Sequence, residues 1–125
     1  MMKILIIDDE PNIRLVYSEV LNDEGYEVLE AESGKEVFQI LYQEPIDLII
    51  LDIKLRIESG LNVLQKITEE FPDIPVLILS AYTSFQREYT SWFAKNYILK
   101  SSDTSELLEE INKALSADEK LSRRL

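Results

Sequence analysis

The chain has 125 residues, 46% hydrophobic and 30% charged, the balance of one soluble globular domain long enough to bury a sizeable core. Thirteen Lys and Arg against 24 Asp and Glu leave a net charge of −11, with no segregated basic patch, which argues against direct binding to nucleic acid or an anionic membrane surface. Cys and His are both absent, so disulfides, thiol catalysis, imidazole metal ligands and His general bases are excluded, and carboxylates, Lys, hydroxyls and backbone remain for chemistry.

The first apolar run, Lys3 to Ile7, is closed by Asp8 and is too short for a signal-peptide core or a membrane span. A cytoplasmic protein is therefore expected. Its continuous rather than alternating pattern suits a strand buried on both faces. Ile13, Val16, Tyr17, Val20 and Leu21 then follow helical spacing, and Gly25 is placed to end that helix in a left-handed cap. Glu27 to Ala31 is a weaker strand candidate. Val37, Ile40 and Leu41 form a second helical stripe, with Ser33 as its N-cap. A second apolar run spans Leu48 to Leu51. A third stripe, Val63, Leu64, Ile67 and Phe71, stops before Pro72. The third run is Pro75 to Leu79. Phe85, Tyr89, Trp92 and Phe93 form a fourth stripe, and Asn96 to Leu99 a further weak strand. Leu107, Leu108, Ile111 and Leu115 form the fifth stripe, capped by Ser102 or Asp103. Residues 1–118 read as the domain and 119–125 as a short polar tail, frayed or helical.

Strand and helix alternate five times, which predicts an α/β fold: a five-stranded parallel sheet, doubly wound, with helices on both faces. In such sheets ligands bind beyond the carboxyl ends of the strands. Glycine occurs only at 25, 34 and 60, in no dinucleotide or phosphate-loop fingerprint, so a Rossmann-type cofactor is not expected.

The strand ends carry the polar signal. Asp8-Asp9 follows the first strand, Asp52 the third, Ser80-Ala81 the fourth and Lys100-Ser101 the fifth. Singly, these residues read as an acidic turn, a loop residue, a helix cap and a solvated lysine. Jointly they place three carboxylates, a hydroxyl and an ammonium along one edge. Crowded carboxylates repel one another, and a hard divalent cation such as Mg²⁺ (or Mn²⁺) offsets that repulsion. A carboxylate beside such a cation can serve as nucleophile toward phosphorus, with Lys and Ser stabilising phosphoryl oxygens. The chemistry inferred is in-line phosphoryl transfer to Asp.

These stretches, from Ile4-Leu5-Ile6-Ile7-Asp8-Asp9-Glu10 through Asp47-Leu48-Ile49-Ile50-Leu51-Asp52, Gly60, Leu79-Ser80-Ala81 and Tyr97-Ile98-Leu99-Lys100, resemble the receiver domain of bacterial response regulators in two-component signalling. The resemblance runs from Lys3 to about Leu115 and implies a flavodoxin-like (βα)5 fold. It implies that Asp52 is the phosphoacceptor and that Asp8 and Asp9, with Asp52 and the backbone carbonyl of Lys54, bind the metal. Ser80 and Lys100 would meet the phosphoryl group, and Ser80 and Tyr97 would act as the switch. Tyr82, bulky and two residues after Ser80, implies slow loss of the phosphoryl group. Two departures stand out: Arg56 takes the place of a usual Pro, and Ser101 follows Lys100 where the family commonly has a cis bond to Pro. A cis bond to a non-proline residue costs about 3 kcal/mol, so a trans bond is expected. Neither departure removes an acid, the hydroxyl or the lysine.

The resemblance implies a sensor histidine kinase or histidine phosphotransfer protein as phosphodonor and an unknown downstream protein as target. It also allows a phosphorylation-dependent homodimer through the fourth predicted helix, the fifth strand and the fifth predicted helix. Such a chain catalyses its own aspartyl phosphorylation and dephosphorylation without being an enzyme on a separate substrate. Two other readings stay open: an interaction module of the same fold that signals without phosphorylation, and a receiver taken from a longer regulator with a C-terminal output domain.

Overall fold

The computed structural model describes residues 2–52, 60–80, 96–99 and 104–124, with backbone alone at Ser80, Asn96, Tyr97, Leu99 and residues 117–124. The strands are β1 (Lys3–Ile7), β2 (Glu27–Ala31), β3 (Leu48–Asp52), β4 (Val76–Ser80) and β5 (Asn96–Leu99). The described helices are α1 (Pro11–Asp23), α2 (Gly34–Gln43), α3 (Gly60–Glu70) and α4 (Ser105–Arg124), the last being the fifth helix expected from the sequence. The fourth predicted stripe, Lys54, Arg56, Ala81, Tyr82 and the Lys100-Ser101 bond lie outside the described residues.

All five strands are parallel, in the order β2-β1-β3-β4-β5. The chain runs outward from β1 to β2, then crosses to β3 on the other side of β1. The carboxyl ends of β1 and β3 therefore flank the point where connections leave in opposite directions, which is where open α/β sheets keep their crevice.

Alternate residues of the central strands feed two cores. Leu5, Ile7, Ile49, Leu51, Val76 and Ile78 pack with α2 and α3 through Val37, Leu41, Val63, Leu64 and Ile67. Ile4, Ile6, Leu48, Ile50, Leu77 and Leu79 pack on the other face with Tyr17, Leu21, Leu107, Ile111 and Leu115 of α1 and α4. This burial on both sides explains the unbroken apolar runs: neither face of β1 or β3 meets water.

The helix ends follow from local chemistry. Ser33 caps α2, its hydroxyl accepting from the Glu36 N–H at 3.4 Å. Gly25, at φ +93°, closes α1. Its N–H donates to the Asn22 carbonyl at 3.0 Å and that of Tyr26 to Leu21 at 3.1 Å, the paired bonds of a Schellman cap. At the opposite edge of the sheet from the carboxyl ends, Lys3 Nζ donates to Glu44 Oε2 at 2.8 Å. That bond, with the Glu44, Glu27 and Asp47 charges, holds the ammonium above its ordinary range despite the opposing effect of burial.

One expectation needs correction. Val16 was expected on the buried stripe of α1 but is 52% exposed, while Ser18 is buried. The helix is rotated so that Ile13, Arg14, Tyr17, Ser18 and Leu21 line the side toward the sheet, a stripe that includes two polar residues and so is invisible to an apolar count. Helix α4 begins at Ser105, and the Thr104 carbonyl accepts the Leu108 N–H at 3.0 Å; the expected caps, Ser102 and Asp103, lie outside the described residues. The helix continues through residue 118 to Arg124.

Candidate functional site at the carboxyl edge of the sheet

Strand register brings the predicted residues to one edge. Ile7 pairs with Leu51, so Asp8 and Asp52 emerge side by side from the central strand β3 and its neighbour β1. Asp52 in turn sits opposite Leu79, one residue before Ser80. Ser80 pairs with Leu99, one residue before Lys100. The positions of Lys54 and Lys100 lie outside the described residues, as do the side chains of Ser80 and Tyr97.

Asp8 and Asp52 are the buried acids of the described chain, at 2% and 6% exposure. Burying a carboxylate is costly unless its oxygens find partners. Asp8 is held at three points. Its N–H donates to the Ala31 carbonyl at 3.1 Å, its own carbonyl accepts from Arg14 Nη1, and its Oδ1 accepts the Glu10 N–H at 2.9 Å. The tight turn that makes the last bond folds Glu10 back toward the aspartates. Pro11 then opens α1 as its first residue, where a missing N–H costs nothing.

One carboxylate oxygen from each of Asp8, Asp9 and Glu10 lies within 4.8 Å of the others, and burial falls along the series from buried through intermediate to exposed. This donor set fits Mg²⁺. It is all hard oxygen, and its open side leaves room for the waters that Mg²⁺ retains. Glu10 is the member that sequence reasoning did not single out; its position two residues after Asp8, within one turn, was the available signal. Arg14 was also missed, because nothing in the hydrophobic pattern marks a residue whose work is polar.

Five parallel strands in the order β2-β1-β3-β4-β5, with buried acids at the carboxyl ends of β1 and β3, define an open, doubly wound α/β domain of the flavodoxin-like class. The sequence agrees: residues 4–112 match the response regulator receiver domain, and the chain belongs to that family. It is 32% identical over 115 residues to sporulation initiation phosphotransferase F of Bacillus subtilis, covering 90% of this chain and 93% of that protein. It is 37% identical over 101 residues to response regulator RR06 of Streptococcus pneumoniae, covering 79% of this chain but 46% of that protein, so it spans about half the length of that relative. Among solved structures, response regulator protein TrrA of Thermotoga maritima in complex with Mg²⁺-BeF superposes with a TM-score of 0.87 at 40% identity, covering 92% of this chain and 100% of that one. TrrA in complex with histidine kinase ThkA superposes at 0.84, covering 92% of this chain and 99% of that one.

Proposed function

We propose that this chain is a phosphorylation-dependent signalling switch that accepts a phosphoryl group onto Asp52. The observation that carries the reading is the pairing of two buried acids, Asp8 and Asp52, at the topological switch point of a receiver-family sheet. Asp52 is the nucleophile. Its carboxylate oxygen forms the P–O bond as the bond from phosphorus to the donor breaks, and the donor leaves with the electron pair. When bound, Mg²⁺ or Mn²⁺ supplies charge neutralisation at the phosphoryl oxygens, and Asp8, Asp9, Asp52 and the Lys54 backbone carbonyl are the residues to hold it, with Glu10 beside them. Lys100 adds a positive charge at the phosphoryl group and Ser80 a hydroxyl donor. Ser80 and Tyr97 then pass the change to β5 and its neighbouring helices, where a downstream protein or a second copy docks.

The donor is a histidine kinase or a histidine phosphotransfer protein. The likeness to TrrA, solved both with Mg²⁺-BeF and with a histidine kinase, supports this. The chain itself has no His, so the phosphorylated imidazole belongs to the partner. Membership of the receiver family supports a cytoplasmic place of action.

Incubation with a small phosphodonor and Mg²⁺, read by intact mass, tests the proposal. The expected result is a gain of one phosphoryl group that is lost in Asp52→Ala and on chelation of Mg²⁺. No gain in the wild-type chain overturns it in favour of a phosphorylation-independent interaction module.

A further inference from the structure

Arg14 makes the one side-chain link, among the described residues, that joins α1, β2 and the β1–α1 turn. It lies one turn into α1, and its side chain is only 15% exposed. Nη1 donates to the Asp8 backbone carbonyl, and Nε donates to Glu30 Oε1 on β2 at 3.3 Å. The same Asp8 is tied to β2 a second time through its N–H and the Ala31 carbonyl. Both backbone polar groups of Asp8 are thus fixed to parts of the fold that the packed sheet and helix hold still.

The guanidinium suits this task because its donors diverge in one rigid plane. Nε and Nη1 can serve two acceptors on different elements at once, whereas a lysine ammonium is a point charge on a flexible stem. Glu30 has a matching role. It takes up part of the Arg14 charge and sets the side-chain direction that aims Nη1 at the turn.

We propose that Arg14, braced by Glu30, is a positioning residue that fixes the β1–α1 turn and so keeps the Asp8, Asp9 and Glu10 carboxylates grouped. The consequence for metal binding rests on the reading given under Proposed function. Coulomb's law alone says that a cation beside a divalent site weakens metal binding, so deleting it should tighten binding. Positioning says the reverse. Without the brace the acids relax apart under their own repulsion, and metal must pay to reassemble them. The sign of the change therefore separates the two effects.

The test is calorimetric titration of the full chain with MgCl₂, for wild type, Arg14→Lys, Arg14→Ala and Asp8→Asn, with amide hydrogen exchange at Asp9 and Glu10 measured without metal. The expected result is a Kd for Mg²⁺ raised about ten-fold in both Arg14 variants, the low end for groups that orient metal ligands. Arg14→Lys carries the decision if Arg14→Ala fails to fold, since it keeps the charge and loses only the fork. Exchange at the Glu10 amide, whose bond to Asp8 Oδ1 closes the turn, should rise roughly three- to ten-fold in the same variant. An unchanged Kd in Arg14→Lys with an unchanged or tighter one in Arg14→Ala overturns the positioning role while the metal reading stands. If wild type and Asp8→Asn alike take no Mg²⁺, the metal reading fails. Positioning is then decided by exchange alone, and an unchanged Glu10 rate overturns it.

Discussion

At the scale of single residues, Asp8 shows how much one side chain is asked to do. It is buried, its backbone is tied on both sides, and its Oδ1 closes the turn that brings Glu10 back. Asparagine in its place keeps the Oδ1 acceptor and removes one of the crowded charges. Asp8→Asn should therefore leave the fold intact and raise metal-free stability by about 1–4 kcal/mol, the Coulomb range for like charges about 4 Å apart between an effective dielectric of about 80 and one of about 20. Chemical denaturation without metal checks this, and a less stable variant would show that the charge is compensated by its neighbours. Gly25 offers a second residue-scale test. A Cβ built there meets nothing within 4 Å, so any cost of Gly25→Ala comes from the backbone held at φ +93° and not from a clash. The expected loss is about 1–2 kcal/mol, with Gly25→Asn milder because Asn tolerates left-handed backbone better.

At the scale of elements, the strands were legible and the helix faces less so. β1 and the two weaker candidates, β2 and β5, keep the bounds read from the sequence, and the apolar runs of β3 and β4 differ by one residue at their ends. Burial on both faces leaves an unbroken signal that needs no phase. A helix face must be phased, and α1 shows how that fails. Arg14 and Ser18 face the sheet while Leu15 and Val16 are more than half exposed, because the helix serves the acidic turn as well as the core. The placement of Asp8 and Asp52 at one edge was legible, since strand ends are fixed by the strands themselves. The placement of Arg14 beside Asp8 was not legible, because it depends on turn geometry that the apolar pattern does not carry. The two helix faces make a paired prediction. Ile67→Ala in α3, fully buried, should cost about 2–5 kcal/mol. Val16→Ser in α1 should stay within about 0.5 kcal/mol. Equal losses in thermal or urea unfolding would contradict the rotation of α1.

At the scale of the whole molecule, the charge of −11 is spread over many surface acids, yet the charge that matters is placed at one edge by topology. Parallel strands point their carboxyl ends one way, and the reversal of order between β1 and β3 opens the crevice there. A cation that binds only the folded edge stabilises the whole chain by linkage. At Mg²⁺ a hundred-fold above its Kd the gain is about 2.7 kcal/mol. The unfolding midpoint of the wild type should rise with Mg²⁺ to that extent and that of Asp8→Asn should not. An equal rise in both would place the ion elsewhere. The central claim is narrower still: that this edge exists to make Asp52 a phosphoryl acceptor. An acyl phosphate is reduced by borohydride to an alcohol, which marks its residue permanently as homoserine. The chain is treated with a small phosphodonor and Mg²⁺, reduced, digested and mapped by peptide mass. The account predicts homoserine at position 52 and nowhere else; homoserine at Asp8 or Asp9, or at no residue at all, would contradict it.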